Sequence, residues 1–195
     1  QRQMCIRDSK LMSTLSSETE RQKIEWAIGS IVCGESKKLQ KFMVLYGAAG
    51  TGKSTVLNII QQLFEGYYSV FDAKALGSSS NSFALEAFKN NPLVAIQHDG
   101  DLSRIEDNTR LNSLVSHELM TVNEKFKSTY SNRFKCFLFM GTNKPVKITD
   151  AKSGLIRRLV ASGILIESVL IWATVKPRSC TSCLRLIMNL SLIHI

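Results

Sequence analysis

A lysine set behind a glycine-spaced turn is a group that can hold phosphate. Gly47-Ala48-Ala49-Gly50-Thr51-Gly52-Lys53-Ser54 fits the spacing G-x-x-x-x-G-K-[ST] in full, with Thr55 next in line. Glycines let the backbone wrap closely around phosphate oxygens where side chains would clash. The N–H groups of such a loop, and of the helix it opens, point at the anion. Lys53 is then placed to reach the β- and γ-phosphates of ATP, and Ser54 to offer its hydroxyl to Mg²⁺. A strand-to-helix turn with no ligand would not need the lysine. Gly47 to Thr55 are therefore the expected nucleotide contacts.

Hydrolysis needs carboxylates nearby, one to help hold Mg²⁺ and one to orient the attacking water. "LVAIQHDGD" (Leu93 to Asp101) is a short apolar run ending in Asp99 and Asp101. We assign Asp99 to the metal and Asp101 to the water. Gly100 separates two acids that usually stand side by side, which leaves the division of roles open. His98 reads as a strand-end residue. A third group comes from "FLFMGTNKP" (Phe137 to Pro145), where an apolar strand delivers Asn143 just before a Lys-Pro turn. The Asn amide can donate and accept, which suits a sensor of the γ-phosphate or its water. Gly141 permits a close turn there and Pro145 stops the strand.

These groups can meet only if three strands end on one edge. "FMVLY" (Phe42 to Tyr46), Leu93 to Gln97 and Phe134 to Met140 are continuous apolar runs, as expected of parallel strands buried on both faces. In such a sheet ligands bind beyond the carboxyl ends of the strands. Between them the pattern predicts helices. Glu18 to Val32 is amphipathic, with Ser17 as N-cap and Glu20 reaching back in a capping box. Lys53 to Phe64, Phe83 to Lys89 and Thr109 to Glu118 are further helices. Gly34 to Lys41 is a polar connector, Gly77 to Ser82 a loop, and Met120 to Ser131 a basic hairpin or loop. Alternating strands and helices give a three-layer α/β domain around a mostly parallel sheet.

The chain has 195 residues, enough for one domain with a real core. Its 25 Lys plus Arg against 16 Asp plus Glu give a formal charge of +9. That excess favours an anionic partner such as nucleic acid, although a basic surface without one has the same charge. The 5 cysteines (Cys5, Cys33, Cys136, Cys180 and Cys183) are an odd, scattered set, which fits a reducing cytoplasm rather than a disulfide framework. Cys180-x-x-Cys183 lacks the second ligand pair of a zinc site.

The termini read as foreign. "MCIRDS" (Met4 to Ser9) is what the DNA string ATGTGTATAAGAGACAG and one further base encode, and "LSLIHI" (Leu190 to Ile195) matches its reverse complement. That string resembles a transposase adapter from sequencing libraries. Residues 1–9 and 190–195 are therefore set apart, and the chain reads as a piece of a longer protein. After Leu159 the texture changes. Leu159 to Val175 is nearly apolar but carries Glu167, short for a membrane span and charged near its centre. A reading-frame slip near Val160 is the preferred account, with a genuine core element or a membrane segment as alternatives. Residues 10–159 form the expected domain and 160–189 an uncertain tail.

The order "GAAGTGKST", "LVAIQHDGD", the basic "NEKFKSTYSNRF", "FLFMGTNKPVKITD" and "GLIRRL" resembles the superfamily 3 helicase domain of phage, plasmid and viral replication proteins, an AAA+ relative with a P-loop NTPase fold. The matching stretches run from about Lys41 to Leu159. The Asp-Gly-Asp spacing departs from the family pattern, and its usual C-terminal end is absent or scrambled. The resemblance implies that Arg157 or Arg158 is an arginine finger reaching the ATP of a neighbouring subunit, with Arg157 slightly favoured, and hence a ring, a homo-hexamer. It also implies that Lys125 and Lys127 lie on a loop in a central channel, tracking single-stranded DNA with Phe126 or Tyr130 available to stack. The implied protein is an ATP-dependent DNA helicase domain working in the cytoplasm, in a host's cytoplasm if phage-encoded, with no membrane association. Rivals are an AAA+ remodeller or loader acting on proteins, a catalytically dead nucleotide-binding scaffold, and a small-molecule kinase. The last leaves "FMGTNKP" and "GLIRRL" unexplained.

Overall fold

The computed structural model describes residues 17–78, 80–101, 107–144 and 154–163. The adapter-like ends, Pro145, and the tail beyond Gly163 with its cysteine pair lie outside the described residues.

Strand β1 (Phe42–Tyr46) is apolar at every position because both of its faces are covered. Phe42 and Val44 face one layer, Met43 and Leu45 the other. Helices α1 (Glu18–Val32) and α3 (Lys53–Leu63) supply one cover through Ile24, Ala27 and Ile31 and through Val56, Leu57 and Ile60. The opposite face packs against Leu111, Leu114 and Val115 of α5 (Thr109–Val115), Phe88 of the 3₁₀ turn Glu86–Phe88, and Val122 of β4 (Leu119–Val122). The protein is thus a mixed α/β fold around a parallel sheet. Its five strands run in the order β2 (Tyr68–Val70), β3 (Val94–Gln97), β6 (Phe137–Thr142), β1 and β7 (Leu159–Gly163), every pair parallel. A separate antiparallel hairpin joins β4 to β5 (Tyr130–Arg133). Short helices α2 (Ser36–Leu39), α4 (Ala73–Leu76) and α6 (Leu155–Arg158) fill connections.

Several expectations shift. The third apolar strand begins at Phe137, not Phe134, because Phe134 turns inward to stack near Phe88, with ring centroids 5.7 Å apart. Phe83 to Lys89 condenses to one 3₁₀ turn, and Gly34 to Lys41 contains α2. Ser17 does cap α1, its Oγ accepting from Glu20 N at 3.4 Å. Glu20 does not reach back. Its carboxylate accepts from Lys23 Nζ at 2.8 Å and from Gly163 N at 3.1 Å, so it caps the end of β7 instead. β7 itself pairs residue by residue with β1, from Phe42–Leu159 to Tyr46–Gly163. The boundary expected at Leu159 therefore falls at the first residue of a strand, and residues 160–163 belong to the sheet.

Candidate active site

Because β6 lies between β1 and β3, three strand ends leave the sheet side by side. The register puts Tyr46 opposite Thr142 and Gln97 opposite Met140. Hydrogen bonds extend the pairing past the strands: Gly47 N donates to Thr142 O at 3.4 Å, and Gly100 N to Gly141 O at 2.8 Å. The glycine-rich loop, Asp99 to Asp101 and Asn143 thus share one edge. Gly141 allows this approach, since a Cβ there would stand 2.5 Å from the His98 carbonyl oxygen and 3.1 Å from Leu57 Cδ1.

The loop from Gly47 to Gly52 turns through Gly50 and Gly52, with φ of 80° and 94°, where an L side chain is strained. Gly52 is the N-cap of α3, so the first helical residue is Lys53 and the free N–H groups of that helix face the loop. Lys53 is 7% exposed. Its Nζ donates to the carbonyls of Gly47 at 2.8 Å and Ala48 at 2.6 Å, and lies 3.4 Å from Thr51 Oγ1. Burial pushes the Lys53 pKa below the ordinary lysine value, while the Asp99 carboxylate pulls it up. Ser54 and Thr55 are exposed on the first turn of α3, and Ala48 and Ala49 are exposed on the loop.

Beside the loop opens a cleft of about 320 Å³, lined by Asp72, Lys74, Gln97, Asp99, Gly100, Asp101, Thr142, Asn143 and Lys144. It gathers three of the expected residues, Asp99, Asp101 and Asn143, and adds six that the sequence reading did not assign to a site. Gln97 ties the β2 end to β3: its Oε1 accepts from Ala73 N at 3.0 Å and its Nε2 donates to Asp72 Oδ1 at 3.3 Å. Asp72 also caps α4, accepting from Lys74 N at 2.9 Å. An Asp directly before Ala-Lys-Ala-Leu is an N-cap signal that could have been found. Lys144 was legible only as part of a turn. Its Nζ lies 3.0 Å from Asp101 Oδ2.

Among the described residues no group of three or more His, Cys, Asp or Glu is arranged to hold a metal. Mg²⁺ needs no such cage, since it keeps several waters and leans on one or two carboxylates and substrate phosphates. The exposed oxygen donors Ser54 and Asp99 fit that chemistry.

The two arginines part company. Arg158 is 7% exposed; its Nε and Nη2 donate to Ser116 Oγ at 3.1 and 2.8 Å, and its Nη1 to Gly154 O at 3.1 Å. Burial, then the neighbouring Arg157, lowers its pKa. It is a strut between α5 and α6. Arg157 is exposed, and Lys41 Nζ donates to its backbone carbonyl. Neither is near the cleft. α6 leads into β7, whose first residue pairs with the first residue of β1, so both arginines sit at the amino edge of the sheet. A five-residue strand of roughly 16 Å separates that edge from the loop.

Lys125 and Lys127 lie at the tip of the β4–β5 hairpin, away from the cleft. Phe126 between them has φ of 63° and is 104% exposed. Lys127 Nζ pairs with Glu124 Oε2 at 2.7 Å, and Tyr130 Oη donates to Glu124 Oε1 at 2.7 Å. Those two bonds hold the Glu124 carboxyl below its usual range. Lys125 Nζ lies 6.0 Å from the centre of the Phe83 ring. Of the two aromatics considered for stacking, Phe126 is open and Tyr130 is tied down. No helix among the described residues is long and apolar enough to cross a membrane.

A family described only as "Family of unknown function (DUF5906)" matches residues 45–158, more than half of the chain and the whole of the glycine-rich loop, cleft and hairpin. The chain belongs to that family. No curated protein matches. Among solved structures, this DUF5906 chain is similar to the apo structure of the NrS-1 C-terminal region (305–718), with TM-score 0.62 and 18% identity over 93% of this chain and 42% of that one. A form described as "A form apo" of the same region gives TM-score 0.59 and 18% identity over 93% and 41%. The similarity supports the fold. The DUF5906 chain spans about two fifths of the length of those structures.

Proposed function

We propose that this chain is a P-loop ATPase domain that hydrolyses ATP with Mg²⁺ and couples the reaction to movement along single-stranded DNA, as a superfamily 3 helicase does. The observation that carries the reading is the meeting of three strand ends, pinned by the Gly47–Thr142 and Gly100–Gly141 hydrogen bonds. It sets a glycine-rich lysine loop beside an opening lined by two carboxylates and an amide.

The backbone N–H groups of Gly47 to Gly52 and the start of α3 receive the phosphates, and Lys53 turns from the loop carbonyls to their oxygens. Ser54 and Asp99 would hold Mg²⁺, which when bound would supply positive charge against the phosphates. Asp101 accepts a proton from the attacking water, and Asn143 orients that water against the γ-phosphorus. Arg157 serves the active site of an adjoining subunit in a ring of six, since its own lies a strand length away. The hairpin tip with Lys125, Phe126 and Lys127 meets the DNA backbone and bases. This exposed basic tip favours the helicase reading over a remodeller of proteins.

The test is ATP hydrolysis by the purified chain, with and without single-stranded DNA, beside Lys53→Ala. Stimulation by DNA that disappears in the variant supports the proposal. Hydrolysis indifferent to DNA points to the remodeller, and binding without hydrolysis to a scaffold. Turnover by clean Lys53→Ala protein would remove the site assignment.

A further inference from the structure

We propose that Lys144 is a second phosphate-binding cation of the cleft, parked on Asp101 until a γ-phosphate draws it away. The inference rests on the nucleotide reading above. Lys144 lines the same opening as Asp99, Asp101 and Asn143, on the wall built by β6. Its backbone is fixed. Thr142, 3% exposed at the end of β6, accepts from Lys144 N at 3.1 Å and donates to Lys144 O at 3.2 Å through one hydroxyl. Its side chain is not fixed in the same way. The side chain is 61% exposed and its Nζ lies 3.0 Å from Oδ2 of Asp101, a side chain itself 24% exposed.

Charge decides which partner wins. Asp101 offers Lys144 a single carboxylate, whereas a terminal phosphate is multiply charged and presents several acceptor oxygens for charge-assisted bonds. A terminal phosphate entering the cleft therefore takes Lys144 from Asp101. That exchange places a positive charge on the group that ADP lacks. Lys53 is less suited to tell ATP from ADP, because a loop lysine reaches the β-phosphate as well as the γ-phosphate. Lys144 thus makes the site selective for the triphosphate.

Binding measurements separate this from the reading it rests on. A fluorescent ADP is displaced by ADP or by a non-hydrolysable ATP analogue, in the unaltered chain, Lys144→Ala and Lys144→Arg. The expected result is about a tenfold weaker triphosphate in Lys144→Ala with ADP unchanged, and recovery in Lys144→Arg. Equal loss of both nucleotides, or no change in either, overturns the role of Lys144 and leaves the nucleotide site standing. Failure of the unaltered chain to bind either nucleotide overturns the site itself. Thermal unfolding of each variant without nucleotide shows whether the fold has been kept.

Discussion

At Gly141 the decisive neighbour is a backbone atom. The His98 carbonyl oxygen would stand 2.5 Å from an added Cβ, and a backbone carbonyl held between the end of β3 and the Gly100–Gly141 hydrogen bond cannot swing aside as a side chain can. Gly141→Ala must therefore push β3 from β6 and part the carboxylates from Asn143. The expected loss is about 1–3 kcal/mol of stability, read by urea unfolding, with weaker nucleotide binding. By contrast Gly100 faces the flexible end of Met140, at 2.5 Å to Sδ, so Gly100→Ala should be the milder change. His117 makes a different residue-scale case. It is 3% exposed with φ of 53°, and burial, with Lys37 and Lys135 adding to it, lowers its pKa below 6.5. The unfolded chain then binds a proton more readily than the folded one. Stability should be complete above pH 6.5 and fall as the pH drops through and below that value, by at most about 1.4 kcal/mol per pH unit. His117→Asn, which tolerates the left-handed backbone, should flatten that part of the curve. An unchanged slope in the variant would assign the acid sensitivity to other groups.

Elements differ in how plainly the sequence announces them. β1, β3, β6 and α3 were legible because double burial leaves unbroken apolar runs and because glycine and lysine mark the turn. β2 was not, since it is a three-residue edge strand with Val70 exposed and too short to show a period. β7 was hidden for another reason: its Leu-Val-Ala-Ser-Gly runs straight into further apolar residues, and only pairing with β1 marks where it lies. The cleft followed the same rule. Asp99, Asp101 and Asn143 end legible strands, whereas Asp72 and Lys74 follow the strand that was missed. The β4–β5 hairpin was open between strand and loop, and its tip yields a prediction. Phe126→Ala removes a ring that touches little of the protein, so unfolding should be unchanged. Affinity for single-stranded DNA should fall by about 1–3 kcal/mol, the value of one stacked base. Tyr130→Phe should leave DNA binding in place, because that hydroxyl serves Glu124. Fluorescence anisotropy with labelled oligonucleotides measures both, and equal binding by Phe126→Ala would remove the tip from the DNA path.

For the whole molecule the question is why one chain carries its cradle and its exposed arginine on opposite edges of a sheet. Lys53 opens the helix after β1, while Arg157 precedes β7, which starts level with the start of β1. No rotamer of Arg157 spans that distance within one copy. A second copy can bridge it if it packs the amino edge of its sheet against the cleft of the first. Arg158 makes such presentation rigid: anchored on Ser116 and Gly154, it holds α6 while Arg157 stays exposed. Mixing subunits tests this arrangement directly. Lys53→Ala copies lack a working cradle but keep Arg157; Arg157→Ala copies have the reverse. Each variant alone should hydrolyse ATP far more slowly than the unaltered chain. If the arginine acts between copies, mixing the two should restore part of the rate, because some interfaces join an intact cradle to an intact arginine. Sedimentation of the same mixtures with nucleotide should show assemblies larger than one chain. A mixture no faster than the sum of its parts, in protein shown to assemble, would mean that Arg157 does not complete a neighbour's site.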